Sequence, residues 1–169
     1  MPLGAVIEDI WRDLRVIGGD LLGPCEFDAL CREIEGTGGG DFGRLYRFKT
    51  GDVMHHGPFA EYVREHLLRP QEVSAHDYLR TPELVEDIAT VAGKMFDVDL
   101  LTAFSISTVP CIVAFDMPIE NSSTAAAAAC WYVRAAADGE LTSNASGGFD
   151  GHGVVVPPNA IRSVEVVRP

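Results

Sequence analysis

The period of the apolar residues shifts near Leu100, and that shift limits what this chain can fold into. From Val6 to Ile34 and again from Leu84 to Met95 the apolar residues recur every three or four positions. From Leu100 onward they gather in short runs rich in β-branched and aromatic residues. Helices first and strands later, without a regular strand–helix–strand alternation, predict an α+β fold: N-terminal helices followed by a mainly antiparallel C-terminal β-sheet. At 169 residues the chain is read as a single domain, with a helical segment over 1–43 and an α+β core over 44–169.

The helical stripes are explicit. Val6, Ile7, Ile10, Trp11, Leu14 and Ile17 line one face of a first helix that Gly18 and Gly19 end. Phe27, Leu30, Cys31 and Ile34 line a second that follows Pro24 and stops at Gly36. The glycine-rich tract from Gly36 to Gly43 reads as a linker, since it lacks the Gly-Lys-Ser/Thr ending of a phosphate loop. RLYRFK, 44–49, alternates like a strand, and Phe59, Tyr62, Val63 and Leu67 predict a helix over 58–68. Thr81-Pro82-Glu83 is the clearest helix start: a capping hydroxyl, a proline with no amide to leave unpaired, and an acid at the positive end of the dipole.

Beyond it, LLTAFSIST and CIVAF read as strands separated by Val109-Pro110. The stretch 121–139 is read as a helix over the strand alternative because of its alanines. Residues 139–151 read as a loop, and GHGVVVPPNAIRSVEVV, 151–167, as strand, Pro-Pro turn and strand. The expected core includes Ile10, Trp11, Leu30, Leu45, Ile88, Phe104, Ile112, Trp131 and Val155.

Charge narrows the partners. With 25 acids against 13 bases the net charge is −12, a field that repels phosphate backbones and anionic lipid, so nucleic acid is not expected as a partner. No apolar stretch reaches the ~18–20 residues that span a bilayer, and the first residues lack a basic segment followed by an apolar one; no membrane partner and a cytoplasmic location are expected. The richness in Ala, Gly, Val, Asp and Arg is consistent with a high-GC bacterial genome. Cys25, Cys31, Cys111 and Cys130 are too far apart for a C-x2-C metal pair, and three lie in apolar runs, as buried reduced thiols would.

Few residues suggest chemistry. His55 and His56 are adjacent, His66 and His76 follow, and none has the H-x3-H or H-E-x-x-H spacing of a metal site. Histidine titrates near neutrality, which makes His152 the candidate general base. Glu86-Asp87 and the pair Asp97 and Asp99 read as solvated acids. No G-x-S-x-G elbow marks a nucleophilic serine.

Three phrases in order, LYRF (45–48), FSIST (104–108) and GHGVVVPPNAIRSVEVV, resemble the three sequence elements of arginine-type ADP-ribosyltransferase domains, many of them bacterial toxins. The resemblance implies NAD as cofactor, with Arg47 contacting its phosphate and ribose and Ser105 and Ser107 steadying the site. It also requires a carboxylate beside the carbon that becomes cationic as nicotinamide leaves. The family's glutamate would fall at Gly153 and its partner at Gly151, and Ile106 replaces the threonine between the serines. Glu165 in the following strand and Glu140 in an earlier turn are then the acids that could stand in, with His152 beside the altered turn.

The expectation is therefore a divergent or impaired NAD-binding domain. Two alternatives come from other classes. One is a non-catalytic acidic accessory protein that binds a protein partner, the Ala125–Ala129 run allowing close helix approach, as in a homo-oligomer. The other is a small histidine-dependent biosynthetic enzyme acting on a small molecule.

Overall fold

In a computed structural model, residues 3–36, 39–51, 59–118, 122–139, 148–151 and 155–167 are described. They form a mixed α+β fold of several helices and two small antiparallel sheets. The N-terminal part carries α1 (Leu3–Ile17), α2 (Pro24–Glu35) and α3 (Gly40–Gly51). A short strand β1 (Phe59–Glu61), a short helix α4 (Arg64–Leu68) and a 3-10 turn at Pro70–Glu72 lead to α5 (Glu83–Phe96) and α6 (Leu100–Ser107). Then come β2 (Cys111–Phe115), α7 (Ser122–Asp138), β3 (Gly148–Asp150), a 3-10 turn at Pro158–Ala160 and β4 (Ile161–Val166).

The core lies among the helices. Leu14, Phe27, Leu30, Ile34, Val85, Ile88, Val91 and Leu100 are buried there together, with Ile7, Ile10, Trp11 and Phe104 packed at its margin. The stripes read from sequence on α1, α2 and α5 are the faces that meet. Trp11 packs edge-on against Phe27 at 5.7 Å and donates its indole N–H to the Tyr46 hydroxyl at 2.8 Å, so its polar tip is satisfied where its ring is half-buried. Glu26 folds back to accept the Gly23 N–H at 2.8 Å, which fixes the start of α2 beside Pro24. Gly18 is needed where α1 ends: a Cβ there would sit 2.9 Å from Leu100 Cδ1 and from the Leu14 carbonyl oxygen.

Several expectations are corrected. RLYRFK is not a strand but the body of α3, and Gly40 to Gly43 open that helix instead of belonging to a linker; 37–38 lie outside the described residues. The burial is helical: Phe42 and Lys49 are half-buried, Gly43 and Tyr46 buried, and Leu45 and Phe48 exposed. Packing of α3 along α5 therefore overrides the strand reading of this short run of mixed basic, aromatic and apolar residues. Gly39 makes this entry possible, with φ +76° and a place where a Cβ would lie 2.9 Å from Gly43 Cα.

FSIST likewise is helical. Asp99 caps α6 by accepting the Thr102 N–H at 2.9 Å, and Ser105 Oγ donates to the Leu101 carbonyl at 3.0 Å, a bond only a helix offers. The helix expected over 58–68 is split into β1 and α4. The strand expected in the closing phrase before the prolines is also absent: Val155 and Val156 lie in no strand, and Val154 is outside the described residues. The closing phrase is thus no hairpin, because β4 pairs with β2 and β3 pairs with β1, both antiparallel. CIVAF as β2, 161–166 as β4 and the alanine-rich α7 agree with the sequence reading. Of the expected core, Leu45 and Val155 are exposed, and Cys25, Cys111 and Cys130 are exposed free thiols instead of buried ones.

Candidate functional site

The residues singled out for NAD chemistry lie on different elements. Arg47, on α3, donates from Nη1 to the Ile34 carbonyl at 2.8 Å and borders an open hollow of about 310 Å³ lined also by Ile7, Glu35, Tyr46, Thr50 and Gly51. Neither serine nor Glu165 lines it. Ser105 and Ser107 sit on the exposed side of α6. Glu165, on β4, accepts from Arg64 of α4 through both its oxygens, at 3.1 Å from Nε on one of them. His152, Gly153, His55, His56 and Glu140 lie outside the described residues, so the candidate base and the altered turn are not placed.

Ionisable groups elsewhere are arranged for structure. Lys49 of α3 reaches Asp87 at 2.7 Å and Glu83 at 3.0 Å, both on α5, and Tyr78 donates to Glu83 at 3.1 Å. Burial works against the Lys49 charge, but the hydrogen bonds to Asp87 and Glu83 outweigh it and hold its pKa above the ordinary value. Burial also opposes the Glu83 carboxylate, and Lys49 again wins, holding that pKa below the ordinary range. The Tyr78 phenol is pushed up to about 12, first by burial and then by the Glu83 charge. An amine held protonated and a phenol held neutral are poor bases at neutral pH. The Cys31 thiol is likewise raised, by burial first and then by Glu35, which disfavours the thiolate a nucleophile needs. Asp87, expected on a solvated face, is instead buried beneath Lys49.

Two histidines are placed. His76 Nε2 lies 2.8 Å from the Thr81 carbonyl and its ring stacks edge-on with Tyr78. His66 is buried, with neither ring nitrogen hydrogen-bonded and Nδ1 3.6 Å from Glu61 Oε2. Among the described residues no group of three or more His, Cys, Asp or Glu is placed to hold a metal ion, and no helix is long and apolar enough to cross a membrane.

The most distinctive surface is the β2–β4 ribbon. Opposed residues of an antiparallel pair project to one face, and successive residues alternate. Ile112 opposite Glu165 defines the face toward the body, since Ile112 is buried and Glu165 engages α4. The other face then carries Cys111 opposite Val166 and Val113 opposite Val164. Past a bulge between Ala114 and Phe115, Ile161 stands opposite Phe115, whose ring meets Phe149 of β3 at 5.9 Å.

From Cys111 to Val113 and from Val164 to Val166 this outer face is apolar and open to solvent, as is Ile161: Val113 is 46% exposed, Ile161 42%, Val164 61% and Val166 54%, while Phe115 is half-buried. Two of the ribbon's charged residues are bridged within the chain, Glu165 to Arg64 and Arg162 to Asp116. α7 is also lightly covered: Ala128 is buried and Ala125, Trp131 and Ala135 are half-buried, a single narrow stripe, while Cys130, Tyr132 and Val133 are exposed.

The alternation Val164-Glu165-Val166 is visible in sequence and could have signalled such a face. Only the pairing with β2 places Val113 beside it. Comparison with protein-family models, with curated proteins and with solved structures gave no match.

Proposed function

We propose that this chain is a non-catalytic interaction protein that docks a protein partner on the outer face of the β2–β4 ribbon. The single observation that carries the reading is the uncovered apolar face formed by Cys111, Val113, Val164 and Val166. A two-stranded ribbon with an apolar face in water gains little from its own pairing, and such patches on soluble proteins are characteristic of docking surfaces. The pKa directions at Lys49, Tyr78 and Cys31 add support, because each disfavours the reactive form. A photo-crosslinking residue placed at Val164 should yield covalent protein adducts in cells, while one at the exposed Asp13 of α1 should not. Equal yields at both positions, or none at Val164, would count against the reading.

A second reading is NAD binding at the hollow beside Arg47, in line with the ADP-ribosyltransferase resemblance. The observation in its favour is that Arg47 borders a concave space together with the polar groups of Tyr46 and Thr50. The strand placement assumed for LYRF and FSIST does not support it, since both phrases are helical. Calorimetric titration with NAD, repeated on Arg47→Ala, is the test: heat of binding that the substitution abolishes favours this reading, and no heat in the unsubstituted protein removes it.

A further inference from the structure

We propose that α4 is a latch: a locally unstable helix that holds the β2–β4 ribbon to the helical body and releases it when it opens. The proposal goes beyond the docking reading, because it concerns how the ribbon is held and not what meets its outer face. Three observations meet on this one short helix.

The first is where its bonds go. Consecutive residues address three different elements: Arg64 donates to Glu165 of β4 at 3.1 Å from Nε, Glu65 accepts from the Tyr132 hydroxyl of α7 at 3.2 Å, and His66 Nδ1 lies 3.6 Å from Glu61 Oε2 of β1. Among the described residues, the hydrogen bonds that join the ribbon to a helix are those of Arg64 with Glu165.

The second is that α4 has little to hold it by itself. It is five residues long, and its N-cap Val63 offers no side-chain hydrogen bond. A helix this short does not persist in water without tertiary contacts. The contacts it has are weak ones, since the Arg64 and Glu165 side chains and Tyr132 are all substantially exposed and water competes for their bonds.

The third is His66. Its ring is 2% exposed, and neither nitrogen has a hydrogen-bond partner. The charged groups around it do not supply the missing bonds. Glu61 of β1 stands beyond hydrogen-bond distance, Arg69 and Glu72 in the following turn pair with each other at 3.2 Å, and Arg64 and Glu65 are engaged by β4 and α7. Opening of α4 would give both ring nitrogens to water, a gain that the closed form forgoes. The helix is thus held shut by exposed polar bonds and biased open by a buried imidazole without partners. When it opens, Glu165 loses its partner, and the ribbon face that carries the buried Ile112 is free to leave the body.

Peptide-resolved hydrogen exchange of the full chain reads the latch. Residues 64–69 should exchange at least about tenfold faster than α5. His66→Leu fills the same space with apolar atoms and should slow that exchange at least about fivefold, the reverse of what loss of a supporting core residue does. If leucine does not fit, His66→Met adapts its shape and should act in the same direction. Release of the ribbon is read by thiol labelling of the Ile112→Cys variant, in a chain with Cys25, Cys111 and Cys130 replaced by serine. Adding His66→Leu should slow this labelling in step with α4 exchange, and adding Arg64→Gln should speed it about two- to fivefold.

Exchange of 64–69 as slow as that of α5, or no slowing in either His66→Leu or His66→Met, overturns the latch. Labelling at position 112 that is indifferent to both His66→Leu and Arg64→Gln overturns its hold on the ribbon. Neither failure touches the docking reading, which the crosslinking yield at Val164 decides separately.

Discussion

The helices α1, α2, α3, α5 and α6 and the ribbon β2–β4 put their apolar residues to opposite uses. Among the helices, Leu14, Phe27, Leu30, Ile34, Ile88 and Leu100 are fully or almost fully buried against one another. On the ribbon, Val113, Ile161, Val164 and Val166 face water. The difference follows from what each geometry can cover. A helix with an apolar stripe needs only neighbouring helices, and five of them surround a common core. A ribbon of two strands has two faces; the body covers the one that carries Ile112 and meets the other only at Phe115, against Phe149. Stability therefore resides in the helical part, and the apolar surface available for recognition resides in the ribbon.

The largest effect that sharpens this contrast is expected at the helical core. Leu30→Ala should cost about 2–5 kcal/mol, the range for a buried leucine whose cavity cannot close, measured by denaturant unfolding. A cost near that of a surface substitution would show that the helices do not carry the stability.

Next comes the polar link between α3 and α5. Asp87→Ala removes the partner beneath Lys49 and should cost about 1–3 kcal/mol, Glu83 still being at hand. The same link sets a pH dependence. The Glu83 pKa is lowered on folding, so its contribution is present above its ordinary 4.5 and is lost as pH falls through the folded value. The Lys49 pKa is raised, so its contribution is complete below its ordinary 10.5 and is lost as pH rises through the folded value. Tyr78, raised from 10.0 to about 12, adds to the alkaline loss in that interval. Thermal melts should show a plateau bounded by both falls, and Tyr78→Phe should make the alkaline one shallower. An alkaline limb that is the same in Tyr78→Phe would remove Tyr78 from it.

The smallest effect is expected on the ribbon. Val164→Ala should change monomer stability by no more than about 0.5 kcal/mol, since its side chain gives up little buried surface. A loss comparable to that of Leu30→Ala would erase the contrast between the two regions.

Much of the helical part was legible in the residues. The stripes on α1, α2 and α5 and Pro24 at the start of α2 read correctly because they are local properties of the chain. Helix α5 also starts at Glu83 as read, but Pro82 is its N-cap and the buried Thr81 hydroxyl makes no hydrogen bond, so the expected hydroxyl cap is absent. α3 and α6 were not legible. Leu45-Tyr46-Arg47-Phe48 is a short mixed run of apolar, aromatic and basic residues that can be read as a strand, and the packing of Tyr46 and Phe42 toward the core goes with the helix. FSIST alternates too, and the decisive residue, Asp99, lies outside the phrase as its cap. The candidate site fared similarly. Arg47, Ser105, Ser107 and Glu165 follow a sequence order, whereas their placement on α3, α6 and β4 comes from the fold. Asp87 looked solvated because it follows Glu86 as one of an acidic pair; the partner beneath which it is buried is Lys49, 38 residues earlier.

By itself the sequence determined the acidic balance, the apolar stripes of three helices, the helical start at Pro82-Glu83 and the strand character of 111–115 and 161–166. These follow from charge, period and capping, which act over a few residues. Only the tertiary structure decided that β4 pairs with β2 in the register that sets Val113 beside Val164, and that α3 is a helix at all. Pairing and packing join residues far apart in the chain, and the energy that selects one partner over another arises only when both are present.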